Sequence, residues 1–361
     1  SSPVLITSFS KPGRHGEGKG LVFVCPTGEM IFPTQTAEPT VPGDEPPQQF
    51  EYRLRDGAGA KDRRKAGTLE AWQLGASGVL AEPNLAHVAL GILAGCAGTV
   101  LGFAEEASCG LHFGGSSSRG KTTAQIYGAS CWANPAPDKG LLVTARGTDN
   151  AVEYKFEAGN FTSLHIDEAK TGNAKMIAGL AFQFASEQGK LRLSSDVKER
   201  RAQSWRGFLT LSSEKPLRSF AEQNNEALLA GATVRMPSID VSGLAAIDPK
   251  KAKALKDIAM NNYGHVGPEF VRTLLVNGYH TDAEALRARI DAHQVLLVAG
   301  DPHPIRNRAA RVFAVLRTVG AVMVEAGLLG PSATATDVDR VIQWGWESYL
   351  STPDARSLDP G

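Results

Sequence analysis

The sequence predicts an α/β fold with a β-rich N-terminal extension and a helical C-terminal domain, on three observations. Between about 81 and 242, short apolar runs of strand length alternate with amphipathic helical stretches. Before 81 the chain reads as short strands broken by turns, and beyond 243 nearly every stretch has helical periodicity. The expected division is therefore 1–80, 81–242 and 243–361.

In the first region Val4–Thr7, Leu21–Val24 and Met30–Phe32 are β-rich, with a turn at Pro26–Gly28. Pro33–Pro47, rich in Pro, Thr and Glu, reads as a surface loop. The basic cluster Lys61–Lys65 reads as a solvated loop, with a nucleic-acid contact as the alternative. Leu85–Phe103 is the most apolar stretch, but it holds His87 and four glycines and runs into Glu105 and Glu106. A buried helix explains it better than a membrane span.

The middle region then reads as strand Gly110–Phe113, helix Lys121–Trp132, strand Leu141–Thr144, helix Asn150–Glu157 and strand Thr162–Ile166. Helix Ala174–Ser186 follows, with Met176, Ile177, Leu180, Ala181, Phe184 and Ala185 on one face. Strand Gly207–Leu211, helix Leu217–Leu229 and strand Thr233–Ile239 close it. Helices are expected at 249–261, 267–278, 282–297, 304–327 and 334–350, punctuated by Pro and Gly.

Lys plus Arg and Asp plus Glu both number 38, so the overall field drives the chain toward neither nucleic acid nor membrane, and any polyanion site must be a local patch. Four cysteines without CxxC spacing read as reduced thiols in or near a core, which fits a cytoplasmic protein, and no signal peptide is visible.

Chemistry concentrates at Gly115, Ser116, Ser117, Ser118, Arg119, Gly120, Lys121, Thr122 and Thr123, a GxxxxGK[ST] pattern between an expected strand and an expected helix. That order aims backbone N–H groups at one point, where the helix terminus adds partial positive charge. Gly115 and Gly120 allow angles and close approach that a Cβ would block. In such a P-loop, Lys121 reaches the β and γ phosphates of ATP and the Thr122 hydroxyl holds Mg²⁺. A second element lies downstream, where the strand through Ile166 ends in Asp167 and Glu168. Asp167 is expected to bind Mg²⁺ through water, and Glu168 to polarise the attacking water. His165 is expected to be packed rather than catalytic. Ser212 or Ser213, ending the next strand, suits a γ-phosphate sensor.

These residues, with their surroundings, resemble the domain-of-unknown-function 927 family. The resemblance runs through Cys109–Ala124 and Ala129–Pro135 with its Trp132 turn, then Thr144, Glu153, Asp167, Glu168, Gly189, Lys190, Arg192, Trp205, Arg206 and Leu211–Glu214. It ends near Gly231–Arg235, with Tyr263–Phe270 similar to the family's helical part, so it covers roughly 85–350 and the first 80 residues match weakly. The resemblance implies a P-loop NTPase core similar to superfamily-three and AAA+ motors, a helicase-like ATPase of phages and mobile elements, often joined to primase modules. Such motors work as homo-oligomeric rings, such as hexamers, that grip single-stranded DNA in a central channel. In that setting Arg235 is the candidate arginine supplied to a neighbour's ATP. Lys190, Arg192, Lys198, Arg200 and Arg201, on an expected hairpin, are the candidate phosphate contacts. Arg306, Arg308 and Arg311 are weaker candidates for sensing nucleotide in cis. The neutral balance of charge keeps a second reading open, a nucleotide-gated assembly or defence ATPase that does not unwind DNA.

Overall fold

The computed structural model describes residues 6–17, 21–33, 49–52, 63–137, 139–144, 149–167, 174–189, 192–193, 199–200, 203–214, 234–300 and 303–356. The helix expected over Leu217–Leu229, and all but the first residue of the loop expected at Pro33–Pro47, lie outside them.

The N-terminal region forms two small sheets. β1 (Ile6–Phe9) pairs in parallel with β5 (Gln49–Tyr52). β2 (Gly13–His15), β3 (Val22–Val24) and β4 (Met30–Ile31) make an antiparallel sheet. Strand texture stops earlier than expected, because Leu69–Leu80 is helix α1. Its signal is local: the Thr68 hydroxyl accepts the Ala71 N–H at 3.1 Å, and Trp72, Ala76, Val79 and Leu80 make one buried face.

α2 (Ala86–Phe103) is buried along its entire length, the place an all-round apolar helix takes in a protein core. It belongs to the 83–103 segment, the one stretch among the described residues long and apolar enough to cross a membrane, and the helix itself is buried throughout. After it come β6 (Cys109–Gly114), α3 (Lys121–Ser130), β7 (Leu142–Thr144), α4 (Asp149–Ala158), β8 (Ser163–Asp167) and α5 (Ala174–Ala185). β9 (Arg192–Leu193) and β10 (Glu199–Arg200) pair antiparallel. β11 (Phe208–Ser212) and β12 (Ser238–Asp240) complete the strands.

Five strands run parallel in the order β12-β6-β11-β8-β7. Parallel neighbours need long crossovers, and α3, α4 and α5 lie between successive strands in the chain. Apolar side chains of α2 and α3 cover one face of the sheet, while Val152, Phe156, Leu180 and Phe184 of α4 and α5 cluster with Trp205 and Leu209 elsewhere. β12 is shorter than the strand expected over Thr233–Ile239. Val234 and Arg235 are helical, and Pro237 has no N–H to give a ladder, so pairing begins at Ser238.

Five further helices match the C-terminal pattern: α6 (Pro249–Asn261), α7 (Val266–Val276), α8 (Ala283–Val298), α9 (Pro304–Glu325) and α10 (Ala335–Leu350). Asp248, Asp282 and Thr334 cap three of them with side-chain oxygens, and Thr334 and Asp337 form a capping box. α9 and α10 pack on α2, and Phe23 of β3 stacks against Phe103 and Trp132 at centroid distances of 6.0 and 6.1 Å. One apolar cluster thus runs from Leu21 through α2 to Trp346, joining all three regions.

The contact that seats α2 is steric. A Cβ on Gly91 would stand 2.3 Å from the Ala124 carbonyl oxygen of α3, and one on Gly98 would stand 1.5 Å from the Thr162 carbonyl oxygen beside β8. Gly98→Ala is expected to destabilise the protein by at least about 1–3 kcal/mol, because backbone must move to admit the methyl group. Gly78→Ala, with nothing within 4 Å of the added atom and helical backbone, should stabilise by about 1 kcal/mol. Paired urea-unfolding curves check both signs.

Candidate nucleotide site at the carboxyl ends of the strands

β6 is buried at all six positions and delivers the chain to Gly115 at the carboxyl edge of the sheet. The loop turns through left-handed backbone at Gly115 (φ 124°), Ser118 (φ 61°) and Gly120 (φ 87°), and Gly120 is the N-cap of α3. Close packing reinforces the need for glycine. A Cβ on Gly115 would meet the Ser242 hydroxyl at 2.5 Å, and one on Gly120 would meet Ile247 at 2.5 Å and His87 Nε2 at 2.8 Å. No side chain caps α3, so its first turn presents N–H groups and the positive end of the helix dipole to the concave side of the loop.

Ser116, Ser117 and Ser118 are exposed, Arg119, Gly120, Lys121 and Thr122 are half-buried, and Gly115 and Thr123 are buried. The Lys121 ammonium folds back to donate to the Gly115 and Ser116 carbonyls. Ser116 N–H donates to the Ser242 hydroxyl at 3.2 Å, and Asp240 fixes Ser242 by accepting its N–H at 2.8 Å. Buried polar atoms are left over here. Thr123 Oγ1 and Arg119 Nε have no hydrogen-bond partner among the described residues. Orphaned donors beside a glycine-lined turn fit an oxyanion ligand with several acceptor atoms.

β11 lies between β6 and β8, with Ser212 opposite Phe113 and Leu211 opposite Ile166. This register sets Asp167 at the same sheet edge as the loop, and Ser212 Oγ donates to Asp167 Oδ1 at 2.7 Å. Of the two serines open as sensors, Ser212 therefore faces the carboxylate. Ser213 is turned inward, its hydroxyl 2.7 Å from His112 Nε2, while His112 Nδ1 lies 2.9 Å from the Ser238 hydroxyl. Gln125 of α3 donates to the Ile166 carbonyl at 2.8 Å, tying the loop's helix to the acidic strand. His165 is buried and 2.8 Å from Thr210 Oγ1, packed as its apolar neighbours suggested.

Of the residues expected to hold a divalent cation, Thr122 lies half-buried in the first turn of α3 and Asp167 ends β8, and no group of three or more His, Cys, Asp or Glu gathers for one among the described residues. Glu168, Lys190, Lys198 and Arg201 lie outside the described residues. Arg192 and Arg200 are directly opposed across the β9–β10 pair. Arg235 stands far from its own chain's loop. It donates to the Ala185 carbonyl at 3.2 Å and lines a cavity of about 620 Å³ with Ser108, Cys109, Arg308 and Arg311, at the amino end of β6. Arg311 is engaged there by Glu106 and Asp291, so neither Arg308 nor Arg311 is near the phosphate loop in cis. Sequence reading missed His87, His112, Asp240 and Ser242. His87, Asp240 and Ser242 carry no motif and are singled out only by packing against the loop, whereas His112 stands out by its hydrogen bonds to Ser213 and Ser238.

The class of fold follows from a solved structure. The SCCmec type IV Cch structure, described as an active helicase, superposes with a TM-score of 0.68 at 19% identity, over 92% of this chain and 58% of that one. This chain thus shares the fold of that structure and spans less than two thirds of that chain's length. The C-terminal region of NrS-1 aligns over 80% of this chain and 75% of its own at 9% identity, with a TM-score of 0.24 that carries no weight. The family resemblance read from the residues holds: the model for DUF927, a domain of unknown function, matches residues 34–205. It begins before the expected start near 85 and ends at Trp205, short of the helical part. No curated protein matches the sequence.

Burial holds the imidazoles beneath the site neutral. His112, with Lys121 adding a smaller repulsion, and His165 are both pushed down to about 3. In the unfolded chain both titrate near the ordinary value of about 6.5. Below that value the unfolded state binds more protons, so stability is full above it and falls as pH drops toward 3, by on the order of 1 kcal/mol per pH unit for each ring. Urea midpoints at pH 7.5 and 5.0 should show this fall, and His165→Gln should reduce it. An unchanged slope in the variant would contradict the assignment.

Proposed function

We propose that the chain is a Mg²⁺-dependent ATPase whose hydrolysis drives movement on nucleic acid, a helicase-like motor of a mobile element. The observation that carries this reading is the shared sheet edge: a glycine-bounded loop opening onto a helix N-terminus, one buried strand away from Asp167. Here Gly115–Gly120 and the first turn of α3 cradle the phosphates. Lys121 swings from its own loop carbonyls to the β and γ phosphates, where it neutralises the charge that develops on them. Thr122 and Asp167 hold the cation, with Ser212 orienting the carboxylate; when bound, the ion draws charge from the phosphate oxygens. Glu168, next in the chain, orients the attacking water in line with the γ phosphate. Ser213, the other candidate sensor, acts through His112 on the floor of the site.

The finer assignments belong to the same proposal. Lys190, Arg192, Lys198, Arg200 and Arg201 bind the phosphates of single-stranded DNA without reading bases. Arg235, remote from its own loop, serves a neighbour's nucleotide in a cytoplasmic homo-oligomeric ring such as a hexamer, alongside a primase module. The balanced charge of 38 cations and 38 anions favours one alternative, a nucleotide-gated assembly ATPase.

Hydrolysis rates with and without single-stranded DNA at low salt separate the two readings. The motor reading expects stimulation that fades with salt; its absence at low salt leaves the assembly ATPase. Lys121→Ala and Glu168→Gln should each abolish turnover, the second while ATP binding survives in a filter assay. Normal hydrolysis by the Gln variant would remove Glu168 as the water-orienting group.

A further inference from the structure

His87 opens α2 directly beneath the phosphate loop and is completely buried. A buried imidazole ordinarily finds partners for its nitrogens, yet neither ring nitrogen of His87 has a hydrogen-bond partner among the described residues. Its Nε2 is the polar atom that crowds Gly120, 2.8 Å from where a Cβ would stand. The Arg119 backbone is close enough to favour a protonated ring, although the contact falls short of a hydrogen bond. The indole of Trp344, from α10, faces the ring at a centroid distance of 6.2 Å, and Ile247 presses on Gly120. The imidazole is therefore held in place with an unused polar edge against the peptide that joins Arg119 to Gly120. An apolar ring would fill this space without stranding two nitrogens, so packing alone does not account for a histidine here.

We propose that His87 is a positioning residue of the phosphate loop, whose Nε2–H takes the Arg119 carbonyl when the loop closes on a triphosphate. A peptide plane has its C=O and N–H on opposite sides. Anchoring the Arg119 carbonyl downward on His87 turns the Gly120 N–H upward, toward the bound phosphates. The left-handed conformation of Gly120 is what lets that peptide rotate without strain. The hydrogen bond missing from the present geometry is then made in the occupied state, and the ligand's affinity contains it. The residue touches no substrate atom; it acts through the loop. This inference rests on the nucleotide reading of the site.

The test uses the whole chain, with ATP and ADP as probes, and compares His87→Phe, His87→Gln and His87→Asn. Phe keeps a ring and removes the donor. Gln places an amide N–H where Nε2 stands, and Asn places one where Nδ1 stands. The Phe variant should bind ATP about tenfold more weakly, equivalent to about 1.4 kcal/mol, with kcat within about twofold and nucleotide-free melting temperature unchanged or raised. Gln should restore most of the affinity and Asn should not. Equal binding by wild type and Phe, or equal losses in Phe and Gln, would reduce His87 to a space-filling ring and overturn the proposal. If the Phe variant does not fold, the contrast between Gln and Asn decides in the same way. Lys121→Ala is the control for the site: if wild-type protein binds no nucleotide, or Lys121→Ala binds as well as wild type, the nucleotide reading itself fails, an outcome separate from failure of His87.

Discussion

The pairing of β11 with strands on both sides is the constraint on which the site depends. Phe208–Ser212 is hydrogen-bonded to β6 along one edge and to β8 along the other. With both ladders made, the chain has no freedom in where the loop after β6 stands relative to the carboxylate ending β8. Sheet registers are discrete, and a slip of one residue would reverse every side chain on a strand. Ser212 then spans the remaining gap to Asp167 with a single hydrogen bond.

Beneath that edge the core is unusually polar for a fully buried parallel sheet. His112, Ser213 and Ser238 form one connected set, and His165 with Thr210 a second. In the first set both imidazole nitrogens are paired, which favours one arrangement, whereas in the second only Nδ1 of His165 is paired and its Nε2 has no partner among the described residues. Neutral imidazoles are what the setting permits, since burial disfavours the charged ring. The loop thus sits on a floor that resists deformation. Its own groups, Lys121 on loop carbonyls and Ser116 on Ser242, stay exchangeable.

The helical C-terminal region reaches the same place by another route. α2 joins α3, the sheet, α9 and α10 in one apolar cluster. Its buried glycines let backbones approach where side chains would hold them apart. Through Trp344 on His87 and Ile247 on Gly120, residues from beyond the sheet press on the phosphate loop.

The sequence by itself determined what is local. The glycine-bounded loop with its lysine, the run ending at Asp167, the buried character of α2 and the five C-terminal helices all rest on spacing, turn chemistry and periodicity within a few residues. It did not separate α1 from a continuing run of strands, nor set the start of β12 beyond Pro237. Only the tertiary structure decided the strand order, which of Ser212 and Ser213 meets Asp167, and that Arg235 stands at the opposite end of β6 from its own loop. It also brought His87, Asp240 and Ser242 to the loop from distant parts of the chain, and Ser238 to His112. The physical reason is that contacts between residues far apart in sequence leave no periodic trace. They are fixed by which backbones pair and by where a missing Cβ lets two segments touch.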